Sequence, residues 1–373
     1  MLHVVGDLEL GGGQKLAVLT AQFLDRDRFD VAVLSFGPPG PYSARLRDDG
    51  IEVVELGLDM NLRANTVRSA LGAARLLVRT VMRRRWDVVH THLFRTALVV
   101  TPLAKLAGAR VFGTSHRIYY PRLQPRLERV LSLLQEAIVV DSAAVRDILR
   151  AHTHIPLGKY AVIHNGIDVA EFDDAPHKAA AREELGLDEG DLVVGEIAHL
   201  RPHKGQRHLV GAVARITERH PGLRLLLVGG GPDREVIEDL ARSLGVADRV
   251  CLTGPRQDLA LVLAALDVLA LPSTFEGFGI VQAEAMYLGV PVVATSHGGS
   301  TEVVDDGVTG FLVPFGDEDQ LADRIDRLAG DPGLRARMGA AGRRRVLERF
   351  TAGAMARGYA ELYDRPAKRR SSS

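Results

Sequence analysis

With one cysteine, Cys251, the chain has no means of closing an internal disulfide, so a disulfide-stapled scaffold is excluded. Cys251 stands between Val250 and Leu252, which predicts a buried strand thiol and a reducing, cytoplasmic compartment. Long apolar runs are also missing. No stretch reaches about 18 uninterrupted apolar residues, so no transmembrane helix is expected. The longest candidate, around Leu259 to Pro272, is broken by Asp267. The N-terminus, Met1-Leu-His-Val-Val-Gly-Asp, lacks the basic segment and apolar core of a signal peptide and reads as a first strand. Net charge is absent too, with 47 Lys and Arg against 47 Asp and Glu. Together with the lack of aromatics among the basic residues, this speaks against nucleic acid as a partner. Low-complexity sequence is confined to a basic, Ser-rich tail, Lys368–Ser373.

What the chain does have is length and alternation. At 373 residues it is too long for one ordinary core, and two domains are the natural expectation. Short apolar runs of strand character alternate with longer amphipathic segments. The first series runs Leu2–Val5, Val31–Phe36, Val53–Leu56, Val88–His90, Val111–Thr114, Ala137–Val140 and Ala161–His164. The second runs Leu192–Ala198, Leu223–Val228, Val250–Thr253, Val268–Pro272, Val290–Ala294 and Gly310–Val313. Strands alternating with helices mean βαβ units, and near-continuous Val, Leu and Ile mean parallel sheets covered on both faces. The fold class is therefore α/β, with two doubly wound, Rossmann-like domains facing across a cleft. Residues 1–167 form the first, 168–190 read as a linker with a short helix, and 191–350 form the second. In such sheets ligands bind at the carboxyl ends of the strands.

The strongest chemical signal lies there. In Pro272-Ser-Thr-Phe-Glu276-Gly277-Phe278-Gly279-Ile280, a buried strand ends, a loop follows, and a helix begins near Gly279 and carries Glu284. Free N–H groups at a helix start suit a diphosphate. Gly277 and Gly279 permit close backbone approach. Carboxylates such as Glu276 and Glu284 accept paired hydrogen bonds from a vicinal diol. A capping carboxylate plus a surface glutamate is the plainer alternative.

The segment 272–313 resembles the donor-binding signature of the retaining family 4 glycosyltransferases of GT-B fold. The matching residues are the E-x7-E pair, Gly289-Val-Pro-Val-Val-Ala-Thr295, Gly298-Gly-Ser-Thr-Glu302 and Asp306-Gly-Val-Thr-Gly-Phe-Leu-Val313. The resemblance implies that Glu276 binds the donor sugar, that Glu284 binds the nucleoside ribose, and that backbone amides around Phe278 and Gly279 meet the sugar or diphosphate. A second match is Ile197-Ala-His199-Leu-Arg201-Pro-His-Lys204-Gly205, where Lys204 would stabilise a leaving diphosphate. The family places Arg where His199 stands. Either Arg201 swings in, or His199 serves with a weaker charge. Gly12 and Gly13 resemble a glycine loop said to close over the donor, though a tight strand-to-helix turn explains them equally well. His116 matches the family's histidine near the reacting sugar. His90 and His92 read either as cleft residues or as structural ones. The final helix, about 351–365, is expected to pack back on the first domain.

The implied reaction is retaining transfer of a hexosyl group from a nucleotide-diphosphate sugar, with UDP the commoner carrier, to a glycan, lipid-linked or small-molecule acceptor. A sugar-nucleotide epimerase or hydrolase, and a catalytically silent sugar-nucleotide-binding subunit, are the alternatives. No cofactor or metal is expected. Asp25-Arg-Asp27 imitates a metal-binding D-x-D, but it sits in a turn.

One feature lies outside this pattern. Between Met60 and Leu127 the only acidic residue is Asp87, against thirteen Lys and Arg. The helix-like segment 66–86 carries Arg68, Arg75, Arg79 and Arg83 among Leu71, Leu77, Val78 and Val81. Such a helix can lie on an anionic membrane surface at the inner face, or simply present an Arg-rich face to water.

Overall fold

The computed structural model describes residues 1–9, 11–58, 67–115 and 123–366. His116, the first residue of the basic segment 66–86 and the tail 368–373 lie outside these residues. The chain forms two compact units. One is Met1–Gly166 with the C-terminal segment from Ala352, and the other is Ile167–Thr351.

The first unit runs β1 (Leu2–Val5), α1 (Gly12–Phe23), β2 (Ala32–Ser35), α2 (Pro41–Asp48), β3 (Glu52–Glu55) and α3 (Val67–Val78). A π-helical turn, Arg79–Arg83, extends α3. Then come β4 (Val88–His92), α4 (Phe94–Leu106), β5 (Arg110–Thr114), α5 (Gln124–Ser132), β6 (Ala137–Val140), α6 (Ala143–Thr153) and β7 (Tyr160–Val162). The strands form one parallel sheet in the order β3-β2-β1-β4-β5-β6-β7.

The second unit opens with α7 (Ala170–Asp173), α8 (Lys178–Glu184), β8 (Leu192–Ile197), α9 (Gln206–Ala214), β9 (Leu223–Val228) and α10 (Arg234–Ser243). It continues with β10 (Val250–Gly254), α11 (Leu259–Ala265), β11 (Val268–Leu271), α12 (Ile280–Tyr287), β12 (Val292–Thr295) and α13 (Ser300–Val303). It closes with β13 (Gly310–Val313), α14 (Glu318–Gly330) and α15 (Pro332–Arg349). Its parallel strands are ordered β10-β9-β8-β11-β12-β13. Helix α16 (Ala352–Asp364) belongs to the first unit and packs on α1.

The apolar runs form these strands because both sheet faces are covered. Val268, Leu269, Ala270 and Leu271 of β11 are all buried, the larger side chains each contributing roughly 1.5–3 kcal/mol of burial free energy. Separate apolar clusters pack on the two faces of the second sheet.

Two expectations from the sequence are corrected. The segment 168–190 is no free linker, because α7 and α8 are part of the second unit. Phe172 is buried, and the buried Arg182 guanidinium donates to Asp267 Oδ2 at 2.5 Å, to the Ala265 carbonyl at 3.2 Å and to the Glu189 carbonyl at 2.6 Å. Asp267 also accepts from Lys178 and from the Val193 amide. Polar composition suggested a linker, yet those polar groups are the ones that clamp α8 down. Cys251, in turn, is exposed. Its strand, β10, lies at the sheet edge, where apolar composition does not guarantee cover.

His3 and His92 of the first unit are buried with His90, and their rings stack on neighbouring strands. His90 lies 2.6 Å from Thr114 Oγ1 and 2.8 Å from the Tyr363 hydroxyl of α16. Burial, aided by the N-terminal ammonium, pushes His3 down to about 3, so it is carried neutral. These contacts fit the structural reading of the histidines. Asp25 and Asp27 sit in an exposed turn, with the Asp27 amide donating to Asp25.

Candidate functional site

In the second sheet, β8, β9 and β10 grow toward one edge, and the chain then returns so that β11 lies beside β8. The loops leaving β8 and β11 therefore emerge side by side at the carboxyl ends of a topological switch point. All the candidate donor residues of this unit are on these two loops and the helices that follow them. The first loop passes through a 3₁₀ turn, Pro202–Lys204, into α9, and the second runs from Pro272 into α12.

Glycines let the loops close on one another. Gly205, at the start of α9, has φ +85°, and a Cβ there would lie 2.0 Å from the Pro272 carbonyl oxygen. Gly279, at the start of α12, has φ +80°. Only residues that tolerate the left-handed region can end a loop this way without strain. The Thr274 amide donates to the His203 carbonyl at 2.8 Å, and the Gly299 amide donates to the Glu276 carbonyl at 2.8 Å. The Gly298-Gly299 turn is thus laid against the Glu276 loop, with Gly299 so close to the Gly277 carbonyl that no side chain would fit.

At the centre of this joint, Lys204 Nζ donates to Glu276 Oε1 at 2.7 Å, and Ser273 Oγ donates to the same oxygen at 2.6 Å. Both bonds land on Oε1, and among the described residues neither of them engages Oε2. The pair is mostly sheltered, its side chains 20% and 13% exposed. Glu284 is buried on α12, and Phe278 packs edge-on against Phe350, so the Phe278 ring serves the core while its backbone stays in the loop. Ile280 is the first residue of α12. His199 is exposed, with Nδ1 3.4 Å from the Gly230 carbonyl, and Arg201 is exposed as well. The imidazole of His203, two residues after Arg201, has its pKa lowered from the ordinary value by burial, with Lys204 and Arg201 adding to the shift and Glu276 and Asp233 opposing it. Gly12 and Gly13 open α1 in the first unit, where Gln14 donates to Asp7 at 2.8 Å.

The sequence reading missed Glu196. It sits near the end of β8, buried, with Oε1 accepting from Gln206 Nε2 at 3.0 Å and Oε2 without a hydrogen-bond partner among the described residues. Gln206 also donates to the His199 carbonyl at 3.2 Å, so one side chain ties the strand end to the loop. Burial raises the Glu196 carboxyl well above its ordinary range, Lys204 opposes the rise and Glu276 adds to it. A lone acid inside the apolar run Leu192–Ala198 was the available signal. A raised folded-state value means the folded protein holds the Glu196 proton where the unfolded chain releases it. Stability should therefore fall as pH climbs from the ordinary carboxyl range through that raised value. Glu196→Gln is expected to remove this slope in urea titrations run across pH; an unchanged slope would place its origin elsewhere.

As chemistry, the joint offers a cation at Lys204, the positive ends of two helices and a carboxylate facing the same loops. Such a set can hold an anion beside a hydroxyl-bearing group. Among the described residues no cluster of His, Cys, Asp and Glu could hold a metal ion.

Comparison with known proteins gives this arrangement a family. Residues 177–345 match the family described as glycosyl transferases group 1, and residues 10–171 match glycosyltransferase family 4. A D-inositol 3-phosphate glycosyltransferase of Stackebrandtia nassauensis is 36% identical over 72% of this chain and 60% of its own length. The chain thus spans about three fifths of the length of that curated relative. A GDP-mannose-dependent alpha-(1-6)-phosphatidylinositol monomannoside mannosyltransferase of Mycolicibacterium smegmatis is 35% identical over 67% of this chain and 69% of its own. The crystal structure of Anabaena HepE in complex with UDP shares the fold, with a TM-score of 0.83 at 25% identity over 97% of this chain and 98% of that one. On the strength of these matches and of its two parallel, doubly wound sheets, the chain belongs to the family 4 glycosyltransferases of GT-B fold.

Proposed function

We propose that the protein transfers a hexosyl group, with retention of anomeric configuration, from a UDP-sugar to a glycan, lipid-linked or small-molecule acceptor. The observation that carries this reading is the joint of Lys204, Ser273 and Glu276 at the switch point, flanked by the starts of α9 and α12. In the proposed reaction the bond from the anomeric carbon to the diphosphate breaks and a bond to the acceptor oxygen forms on the same face. The acceptor's proton passes to the departing phosphate oxygen. The developing negative charge falls to Lys204, Arg201, with His199 beside it, and the helix N-termini rather than to a metal. Glu276 Oε2 takes a sugar hydroxyl, Glu284 the ribose, and the backbone of Gly277 to Ile280 the phosphates. For Gly12 and Gly13 a role toward the donor, and for His116 a role at the reacting sugar, are what the family resemblance implies. UDP as carrier is supported by its presence in the HepE complex. The GDP-mannose dependence named for the mycobacterial relative makes GDP the competitor to exclude.

A screen of UDP-, GDP-, ADP- and dTDP-sugars, with product anomers assigned by NMR, tests the proposal. Turnover of a UDP-sugar with a retained anomer is expected. Exclusive use of another base, or an inverted product, would refute the corresponding part.

A further inference from the structure

Large apolar side chains that stand exposed are unevenly placed. Of the eighteen among the described residues, eleven lie on α3 with its π-turn, on α4, and on α5 with the residue at each of its ends. These helices are neighbours, with α4 packed against both the π-turn and α5. On α5 the exposed residues Leu123, Leu127, Val130 and Leu133 recur at helical spacing along the whole outer face, Leu133 being 76% exposed. On α4 the outer residues are Leu98, Val99 and Leu106, the last 78% exposed. On α3 and its turn they are Leu71, Leu76, Val78 and Met82, while Ala73, Leu77 and Val81 supply the buried face. A monomeric soluble surface seldom gathers so much apolar area in one place.

The charge on this face has one sign. Exposed Arg75 and Arg79 flank the apolar residues of α3, Lys105 stands beside Leu106, and Arg126 and Arg129 flank those of α5. The one acid of α5, Glu128, is half-buried, accepts from Gln124 at 2.9 Å and lines a partly open pocket with Tyr160. Beyond α5 the pattern stops, because α6 presents Asp147, Arg150 and His152.

We infer that α3, α4 and α5 together form a docking surface for an anionic lipid bilayer. The leucines and valines enter the boundary between headgroups and acyl chains, and the arginines and Lys105 meet lipid phosphates. Charge decides against a second copy of the chain, since a twofold pairing of this face would set arginine against arginine. The basic helix legible in the sequence thus supplies only one margin, and most of the insertion falls to α4 and α5.

The inference stands apart from the transfer reaction and is read without donor or acceptor. The full chain would be sedimented with vesicles of phosphatidylcholine alone and of phosphatidylcholine mixed with phosphatidylglycerol. Binding to the mixed vesicles only, weakened by added salt, is expected. Replacing Arg75 and Arg79 by Gln should lower the partition about fivefold for each charge removed. The pair Leu127→Asn and Val130→Asn, both exposed and outside the core, should lower it by about tenfold or more with an unchanged circular dichroism spectrum. Three outcomes would overturn the inference. One is an absence of binding, another is equal binding to both kinds of vesicle, and the third is binding that neither pair of substitutions weakens. Self-association in light scattering that is lost in the Leu127/Val130 variant, without vesicle binding, would assign the face to a second copy instead.

Discussion

Glu276→Ala is expected to lower kcat/KM for sugar transfer by about two to three orders of magnitude or more while the protein remains folded. The loss follows from the geometry of one carboxylate. Its Oε1 is held by Lys204 and Ser273, which fixes the side chain, and the proposed reaction assigns Oε2 to a sugar hydroxyl. Alanine removes both the ligand contact and the partner that orients Lys204. Glu276→Gln separates the two effects. Its amide oxygen can keep the bonds from Lys204 and Ser273 while the amide nitrogen replaces the acceptor Oε2 by a donor. A loss of about a hundredfold in Glu276→Gln, with the melting temperature near that of the parent, would assign the function to Oε2 itself. A folded, fully active Glu276→Ala protein would remove Glu276 from the site.

The largest effect on stability is expected from Asp267→Ala, at about 3–5 kcal/mol. Asp267 and Arg182 are nearly buried, their side chains 10% and 6% exposed. Removing the carboxylate strands the guanidinium in an apolar setting, leaves the Val193 amide without its acceptor and frees Lys178. Because α8 is clamped through this aspartate to the strand that leads into the Lys204 loop, the damage should spread to that loop. Urea unfolding followed by circular dichroism measures the loss, and hydrogen exchange at Val193 and along α8 locates it. Asp267→Asn keeps acceptor capacity and should recover part of the stability. A loss below about 1 kcal/mol in Asp267→Ala would show that water reaches Arg182 in place of the carboxylate.

Much of this was legible in the chain. The runs Leu2–Val5, Ala137–Val140, Leu223–Val228 and Gly310–Val313 are strands over just those residues, because a strand covered on both faces writes its burial directly into composition. Gly279, legible as a point of close backbone approach, stands at φ +80° where the loop enters α12. The segment 168–190 and Cys251 depart from expectation for one shared reason. Composition reports what a segment could bury, and neighbours decide what it does bury. Arg182, inside that polar segment, is buried because Asp267, 85 positions away, supplies its partner. Cys251 looked like core until the strand order put β10 at an edge.

The sequence by itself determined the α/β class, the alternation of strands and helices and the motif residues Lys204, Glu276 and Glu284, because these depend on local pattern and spacing. The tertiary structure decided that Lys204 and Glu276 share one oxygen, that Glu196 lies buried beneath them, and that three helices join their outer faces into one cationic apolar surface. Each of these depends on which strands and helices become neighbours. That choice is settled by long-range packing, which no local pattern records.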